Sequence, residues 1–432
     1  MDIADAINNK SNGPNRVIFV NRFYWPDHSA TSQLLTDLAE HMSANGTKVA
    51  VITSRLRYAS SKERLAAKER HRGVEICRVW TTGFDRRSLA GRALDFLTFY
   101  VFATFALMKL VQRDDLVIAK TDPPLIQVFA WFATWIKQGR LVNWCQDLFP
   151  ELVYDIAKKR RGRLIGTTLH HLRNFALRRS ELNIAISSEM SNTLVVQGLD
   201  EKRVQVIRNW CDPAIAPIAR NTNALRKRWQ LEDHVVLGYS GNLGRAHLPD
   251  MVHMLVNELA DIAELRFLFI GSGHGMTWLK QQCQQQGHKH VVFKPYQPRE
   301  TLSLSLSVPD LHLISLKSGC QNFSAPSKYY GILAAGRPIA FLGDPDCELA
   351  GEISESQLGI TLAVNRQHTW RDQVYGLIRN KIELAAMGTR ARQTYESQFT
   401  SPNSLNAWQR IIDPVPQPKT SSKVEPTILM GR

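Results

Sequence analysis

The residues best suited to chemistry stand in the stretch Ala325–Pro338, APSKYYGILAAGRP. Pro326 fixes φ and suits the first turn of a helix. Ser327 is placed to cap that helix and Gly336 to stop it. A helix start offers free N–H groups and the positive end of a dipole, and both favour an anion. Lys328 adds a mobile positive charge at the same point. The combination suits a diphosphate, although an ordinary capped helix with a solvated lysine reads equally well from these residues alone. Upstream, Val235–His247 reads VVLGYSGNLGRAH, a β-branched run that breaks into Gly241-Asn242-Leu243-Gly244 and then Arg245. Backbone N–H groups in such a loop can approach phosphate closely. Between the two, Leu265–Gly275 is another buried-type strand ending in Gly271-Ser272-Gly273. Three such features in one half of the chain point to a doubly wound domain with a nucleotide at the carboxyl ends of its strands.

The elements needed to position these residues repeat along the chain. Apolar runs at Val17–Asn21, Lys48–Thr53, Leu116–Lys120, Leu141–Cys145, Leu182–Ile186 and Val204–Arg208 read as strands, with helical segments between them. A second set begins with Val235–Tyr239 and Arg266–Ile270 and continues through Val291–Lys294, Leu311–Ser315, Ile339–Leu342 and Gly359–Val364. Strands alternating with helices imply parallel sheets covered on both faces. Thr31–Asn45 reads as the first helix, Ser60–Arg72 as a charged loop or exposed helix, and Trp370–Phe399 as a final helix with a kink. A chain of 432 residues, 44% hydrophobic and 22% charged, fits two globular domains.

Taken together, the residues resemble the retaining family 4 of GT-B-fold glycosyltransferases, in particular bacterial members that build exopolysaccharide and O-antigen units on a lipid carrier. Val17–Arg55 is similar to that family's first strand, loop, helix and second strand. Trp144–Glu151, WCQDLFPE, resembles its mid-domain Asp-hydrophobic-aromatic-Pro-Glu segment, and Val206–Asp212 its closing strand. The resemblance runs from about Arg16 to Ile412 and implies two Rossmann-like domains facing a central cleft. The expected boundaries are a disordered leader 1–15, an acceptor-binding domain 16–212, a linker 213–233 and a nucleotide-sugar-binding domain 234–398. A helix 399–412 crosses back to the first domain, and 413–432 is a disordered tail.

The resemblance also implies the reaction. A nucleotide-activated sugar is transferred with retention to a lipid-linked or other saccharide acceptor, with no cofactor and no metal. Charge grows on the departing diphosphate, and preorganised positive groups stabilise it. Arg245 and Lys328 are assigned to that diphosphate, beside Gly241–Gly244 and Ser327. Gly271, Ser272 and Gly273 are expected near the nucleoside. His28, Ser29, Thr31 and Ser32 stand in the loop after the first strand, where the family more often has glycines, and are expected at the acceptor. Asp147 is the candidate against the reacting sugar or acceptor hydroxyl; a cap or salt bridge is the alternative. Two glutamates eight apart, which many members use to read the donor, are here Phe323 and Gly331. Asn322 or Glu348 is the expected substitute. This departure keeps two other functions open, a non-catalytic scaffold or sugar-nucleotide-binding subunit, and a nucleotide-sugar epimerase or hydrolase.

Charge and cysteines bound the surroundings. The net charge is +15. Much of it lies in Lys158–Arg161, Arg163, Arg173, Arg178 and Arg179, interleaved with apolar residues, which suits a helix on an anionic membrane surface. No nucleic-acid-binding signature accompanies it. Two apolar runs, Phe96–Met108 and Leu125–Ile136, fall short of the roughly 20 residues a spanning helix needs. They read as buried helices, with a lipid-dipping patch at Phe99, Phe102 and Phe105 as the lesser reading. Six scattered cysteines with no CxxC pair argue against a metal site or disulfide framework. The expected place is the inner face of a cytoplasmic membrane. Asp344-Pro345-Asp346 reads as a turn and not as a metal-binding pair.

Overall fold

The computed structural model describes residues 14–27, 29–58, 63–84, 89–151 and 160–412. Two parallel sheets make up its two halves. The first holds β1 (Val17–Val20), β2 (Val49–Ser54), β3 (Lys68–His71), β4 (Val74–Val79), β5 (Leu116–Lys120), β6 (Arg140–Trp144), β7 (Leu182–Ala185) and β8 (Val204–Val206). Their order is β3-β4-β2-β1-β5-β6-β7-β8, with only β3 antiparallel. Helices α1 (Ala30–Ala44), α2 (Leu89–Leu110), α3 (Ile126–Lys137), α4 (Arg160–Arg179) and α5 (Ser188–Val196) cover it. The central strands are apolar along their whole length because both faces are covered; all of β1 is solvent-free.

A short helix α6 (Ala224–Arg228) leads into the second half. There β9 (Val235–Asn242), α7 (Pro249–Glu258), β10 (Leu265–Ser272), α8 (His274–Gln285), β11 (Val291–Lys294) and α9 (Leu302–Leu306) come first. Next are β12 (Leu311–Ser315), α10 (Lys328–Ala334), β13 (Ile339–Gly343), α11 (Glu348–Glu355) and β14 (Gly359–Ala363). The sheet order is β11-β10-β9-β12-β13-β14, all parallel. The order in which strands are added reverses between β9 and β12, which opens a crevice at their carboxyl ends. The same reversal lies between β1 and β5 in the first sheet.

The chain then runs through α12 (Trp370–Arg379) and α13 (Lys381–Thr394), with a break at Asn380, and a π-helical turn at Tyr395–Phe399. It ends in α14 (Ser401–Ile412), whose Leu405, Trp408 and Ile412 are buried in the core of the first half. Trp408 lies 4.9 Å from Trp144, which lies 5.9 Å from Trp210. The last helix thus completes a tryptophan cluster beneath the first sheet's carboxyl edge.

Two expectations are corrected here. The charged stretch before Arg72 is not a loop or helix throughout, because Lys68–His71 forms β3, an edge strand paired with β4. Its charges suit an edge, where they discourage pairing with another chain. The apolar runs behind α2 and α3 are also not simply buried. Phe99, Ala103 and Leu107 face the sheet, while Leu97, Val101, Phe102 and Phe105 face outward. The expected helix–lipid residues Lys158 and Lys159 lie outside the described residues, as do His28, most of the leader and the tail.

Trp408→Ala should cost about 3–5 kcal/mol, the usual penalty for emptying a buried aromatic site. Urea unfolding followed by tryptophan emission would show it as a lower midpoint; an unchanged midpoint would mean that α14 does not stabilise the first domain.

Candidate functional site

The two carboxyl edges face one another and enclose a cavity of 350 Å³. The second half contributes Ser240, Gly241 and Asn242 from the end of β9, Leu316 just after β12, and Ser327 and Lys328 from the start of α10. The first half contributes Ala30, Gln33, Leu34 and Asp37 from α1, and Trp210–Asp212 close the side. The cavity therefore sits at the switch point of the second sheet, the place where doubly wound folds bind ligands.

Lys328 is the positive centre. Its ammonium lies 3.7 Å from the centre of the Tyr239 ring and donates to the Tyr239 hydroxyl. That hydroxyl in turn donates to the Asn242 carbonyl at 2.9 Å. Among the described residues Lys328 has no carboxylate partner. Burial pulls its pKa down to about 7. It is held in place by Tyr239, and so is less mobile than a solvated lysine. Gly241 has φ +125°, and a Cβ there would come within 3.6 Å of the Lys328 Cε. The helix α10 has only seven residues, and Ser327 has helical backbone angles with no capping hydrogen bond. The expected serine cap is thus absent; an entry loop held by Pro326 does without it. Charge at this end comes from the ammonium far more than from a helix dipole.

His247 stands beside the lysine. Its Nδ1–H donates to the Ser315 carbonyl, which fixes the tautomer and leaves Nε2 as an acceptor. Burial, with Lys328 nearby, pulls its pKa to about 3, so the ring is neutral. The Ser240 hydroxyl is buried in the cavity wall with no partner.

Carboxylates lie on the opposite side. Asp37 accepts from the Trp210 indole at 3.1 Å, and burial raises its pKa. Asp212 pairs with Arg299. Asp147 forms a bridge with Ser324, and the next amide, Leu148, donates to the Phe323 carbonyl at 2.8 Å. Asp147 is solvent-exposed and is not among the residues that line the cavity. Crowding raises its pKa, and the Ser324 hydroxyl and Lys120 oppose that rise. Lys120, at the end of β5, is wholly buried. Its ammonium lies 3.6 Å from the Trp144 ring centre and donates to the Thr31 carbonyl at 2.7 Å. Burial holds its pKa well below that of a free lysine.

Several expected residues stand elsewhere. Arg245 occupies an exposed turn outside the cavity lining. Gly271 and Gly273 have φ of +131° and +124°, and added Cβ atoms would fall 2.2 Å from the Gly241 carbonyl and 2.3 Å from the Asn242 side chain. They are small because two loops abut, with Leu243 and Gly244 in one and Ser272 in the other. None of these three loop residues lines the cavity. Glu348 pairs with Arg208, and its backbone N–H donates to Glu189 of α5 at 2.9 Å. It serves the contact between domains and is not free to read a donor. Ser29 caps α1 by accepting from the Ser32 amide at 3.3 Å. Ser32 is wholly buried, its hydroxyl donating to the Ser29 carbonyl and reaching the Asp27 carbonyl. Neither presents a free hydroxyl to an acceptor, and Thr31 faces Lys120 through its carbonyl.

Lys120, Asp37, His247, Ser240 and Arg208 were not singled out from sequence. Lys120 had a signal, a lysine closing the strand LVIAK. The others become visible only when distant elements meet. Among the described residues, no group of three or more metal-ligating side chains gathers.

Residues 30–210 match the glycosyl transferase 4-like domain. The probable glycosyltransferase WbjE of Pseudomonas aeruginosa is 20% identical over 309 residues, covering 70% of this chain and 76% of that protein. Anabaena HepE in complex with UDP-glucose shares the fold with a TM-score of 0.67 at 14% identity, over 93% of this chain and all of that one. WaaG, a glycosyltransferase involved in lipopolysaccharide biosynthesis, matches with a TM-score of 0.68 at 14% identity, over 92% of this chain and 99% of that one.

The Lys328 pKa sets a sign for ligand binding. Below pH 7 the ammonium is charged and ready for a diphosphate; above it the empty site loses its proton. Nucleoside diphosphate affinity should fall as pH rises through about 7, read by calorimetric titration. For stability the sign is opposite. The folded pKa lies below the unfolded value of 10.5, so burying this cation costs stability below pH 7, and the cost fades as pH climbs toward 10.5. Lys328→Met should therefore lose diphosphate binding with no fall in Tm. A binding curve flat in pH, or a variant that binds normally, contradicts the assignment.

Proposed function

We propose that the chain is a family 4 glycosyltransferase of GT-B fold, a reading supported by its match to the glycosyl transferase 4-like domain, and that it moves a sugar from a nucleoside diphosphate to a lipid-linked saccharide, with retention, in the assembly of a cell-surface polysaccharide. The carrying observation is Lys328, a half-buried lysine with no carboxylate partner among the described residues, in an interdomain cavity at the switch point of the second sheet. A diphosphate there supplies the missing anion. As the sugar–phosphate bond breaks, charge gathers on the leaving diphosphate, and the ammonium stabilises it. Ser240 Oγ and the backbone around Gly241 complete the polar wall. In this reading no metal or other cofactor is needed for that charge.

The acceptor enters from the first domain. Asp147 and Asp37 are its polar contacts, both raised in pKa by their surroundings. A carboxylate whose pKa is raised is a stronger base toward a hydroxyl proton than a free one. The relatives support the donor class: HepE was solved with UDP-glucose and WaaG acts in lipopolysaccharide biosynthesis.

A second reading has one observation behind it. Phe323, at a usual glutamate position, packs against the core of the first domain. Gly331, at the other, is buried, and a Cβ would already touch Leu306 at 3.4 Å. A scaffold that binds sugar nucleotide without turnover would look the same.

Thermal shift with UDP, GDP, dTDP, ADP and CMP, beside Lys328→Met, tests donor binding; one nucleotide stabilising only the wild type is the expected result. With that donor and a lipid-linked acceptor, Asp147→Asn should leave binding intact and slow transfer by roughly 10²–10³. Binding without any transfer by the wild type would favour the scaffold.

A further inference from the structure

Helix α2 has two apolar faces. Its inner stripe, Phe99, Ala103 and Leu107, is wholly buried against the first sheet. Its outer stripe runs Leu94, Leu97, Val101, Phe105 at helical spacing, and Phe105 is 68% exposed. Only 22% of its most apolar stretch is buried, which a core helix would not show. Helix α3 packs beside it and turns out Phe132 and Trp135, the latter 66% exposed. Isolated exposed apolar residues are ordinary, but a contiguous stripe across two helices marks a contact surface.

The charge around this face is one-sided. Helices α2, α3 and α4 form one layer. Helix α4 turns out Arg178 and Arg179, while its Arg173 is buried and paired with Glu151, and Arg92, Lys109 and Lys137 stand on the other two. The single acid in all three is Asp95, buried and paired with Arg22 at 3.2 Å. Arg179 lies 3.7 Å from the Phe175 ring centre and 5.9 Å from that of Trp131, so cations and aromatic rings share the surface. A second copy of the chain would bring like charge against like. An anionic bilayer offers both an apolar layer and negative head groups.

We propose that the outer stripe of α2, with the Trp135 end of α3, seats in the head-group boundary of an anionic membrane. The helix lies in the plane of the membrane, because its inner face is committed to the sheet. Residues such as Phe105 would dip about 5–10 Å into the lipid, as amphipathic helices do. The seating reaches the cleft through the buried Arg22–Asp95 pair. Arg22 lies in the loop between β1 and α1, and α1 lines the cavity. The α2 face thereby sets how the acceptor side stands above the lipid. The arginine-rich α4 contributes attraction, while insertion belongs to α2 and α3. This deepens the reading of a lipid-linked acceptor and rests on it only for the identity of that acceptor.

The test is flotation of the full chain with vesicles of equimolar phosphatidylethanolamine and phosphatidylglycerol. Phe105→Ser, Trp135→Ser and the double variant remove exposed rings and spare the core. Wild type is expected to float, to retain part of its binding in high salt, and to have its tryptophan emission quenched by brominated lipid. The double variant should lose at least tenfold in vesicle binding and keep its Tm and its nucleotide-induced thermal shift. Equal flotation of wild type and double variant would overturn the proposal, as would a wild type that never floats. A lipid-free dimer in sedimentation that dissociates in the double variant would also overturn it, by assigning the face to a second copy. The thermal shift is read separately, so a failed docking surface leaves the sugar-transfer reading standing, and the reverse.

Discussion

The site depends on one unsettled charge. Lys328 sits half-buried against the Tyr239 ring, with no carboxylate partner among the described residues. Burying a cation in this way is unfavourable unless an anion arrives. His247, close by, is kept neutral and adds no charge. The acidic residues that line the cavity, Asp37 and the paired Asp212, lie on the first-domain side. Cation and carboxylates are thus segregated across the opening. An anionic leaving group is drawn to one wall, and a hydroxyl that must lose a proton meets the other. This polarity holds only while the two carboxyl edges stay face to face.

Few contacts keep them there. Arg208, just after β8, reaches Glu348 and Glu352 of α11. Glu348 and Glu189 exchange backbone and carboxylate contacts across the same boundary. The segment before α10 adds a main-chain bond from Leu148 to Phe323 and the Asp147–Ser324 bridge. These contacts are polar and partly exposed, so each is individually modest. The strong link is apolar, through α14 and its Trp408 in the first core. Polar contacts at the boundary and one apolar helix in the first core together hold the two halves in place.

Much of the fold was legible because its signals are local. Covered parallel strands read as apolar runs, and Val17–Val20 or Val235–Tyr239 hardly allow another reading. The β3–β4 hairpin was hidden because Lys68–His71 carries only charged residues, and an edge strand needs no apolar pattern. The site was less legible. Lys328, Gly241 and Asn242 meet as expected, since each is tied to a strand end or helix start. Arg245 and Glu348 do not join them. A turn residue can point either way, and a carboxylate near a sheet edge is as easily taken by an arginine from the other domain. Glycines misled in a physical way. Gly271 and Gly273 look like ligand-approach positions, yet their nearest neighbours are the Gly241 carbonyl and the Asn242 side chain.

The replaced glutamates also gain a structural reason. At Gly331 the helix α10 is packed so closely that a first side-chain atom meets Leu306. A glutamate there would need to leave this packed face or bury its charge. Phe323 lies where the chain crosses from the second domain to touch the first, and its ring is partly buried in that core. The position where the family resemblance leads one to expect a donor-reading glutamate here joins the two domains. On the proposed function, donor recognition falls on groups that stay polar and available in the cavity wall. Ser240 Oγ is buried there without a partner, and His247 Nε2 is an acceptor by virtue of its fixed tautomer. A sugar hydroxyl that donates to His247 and a phosphate that accepts from Ser240 would satisfy both. Selectivity would then rest on two neutral groups in place of two carboxylates, and would be insensitive to pH on the acid side down to the histidine pKa of about 3.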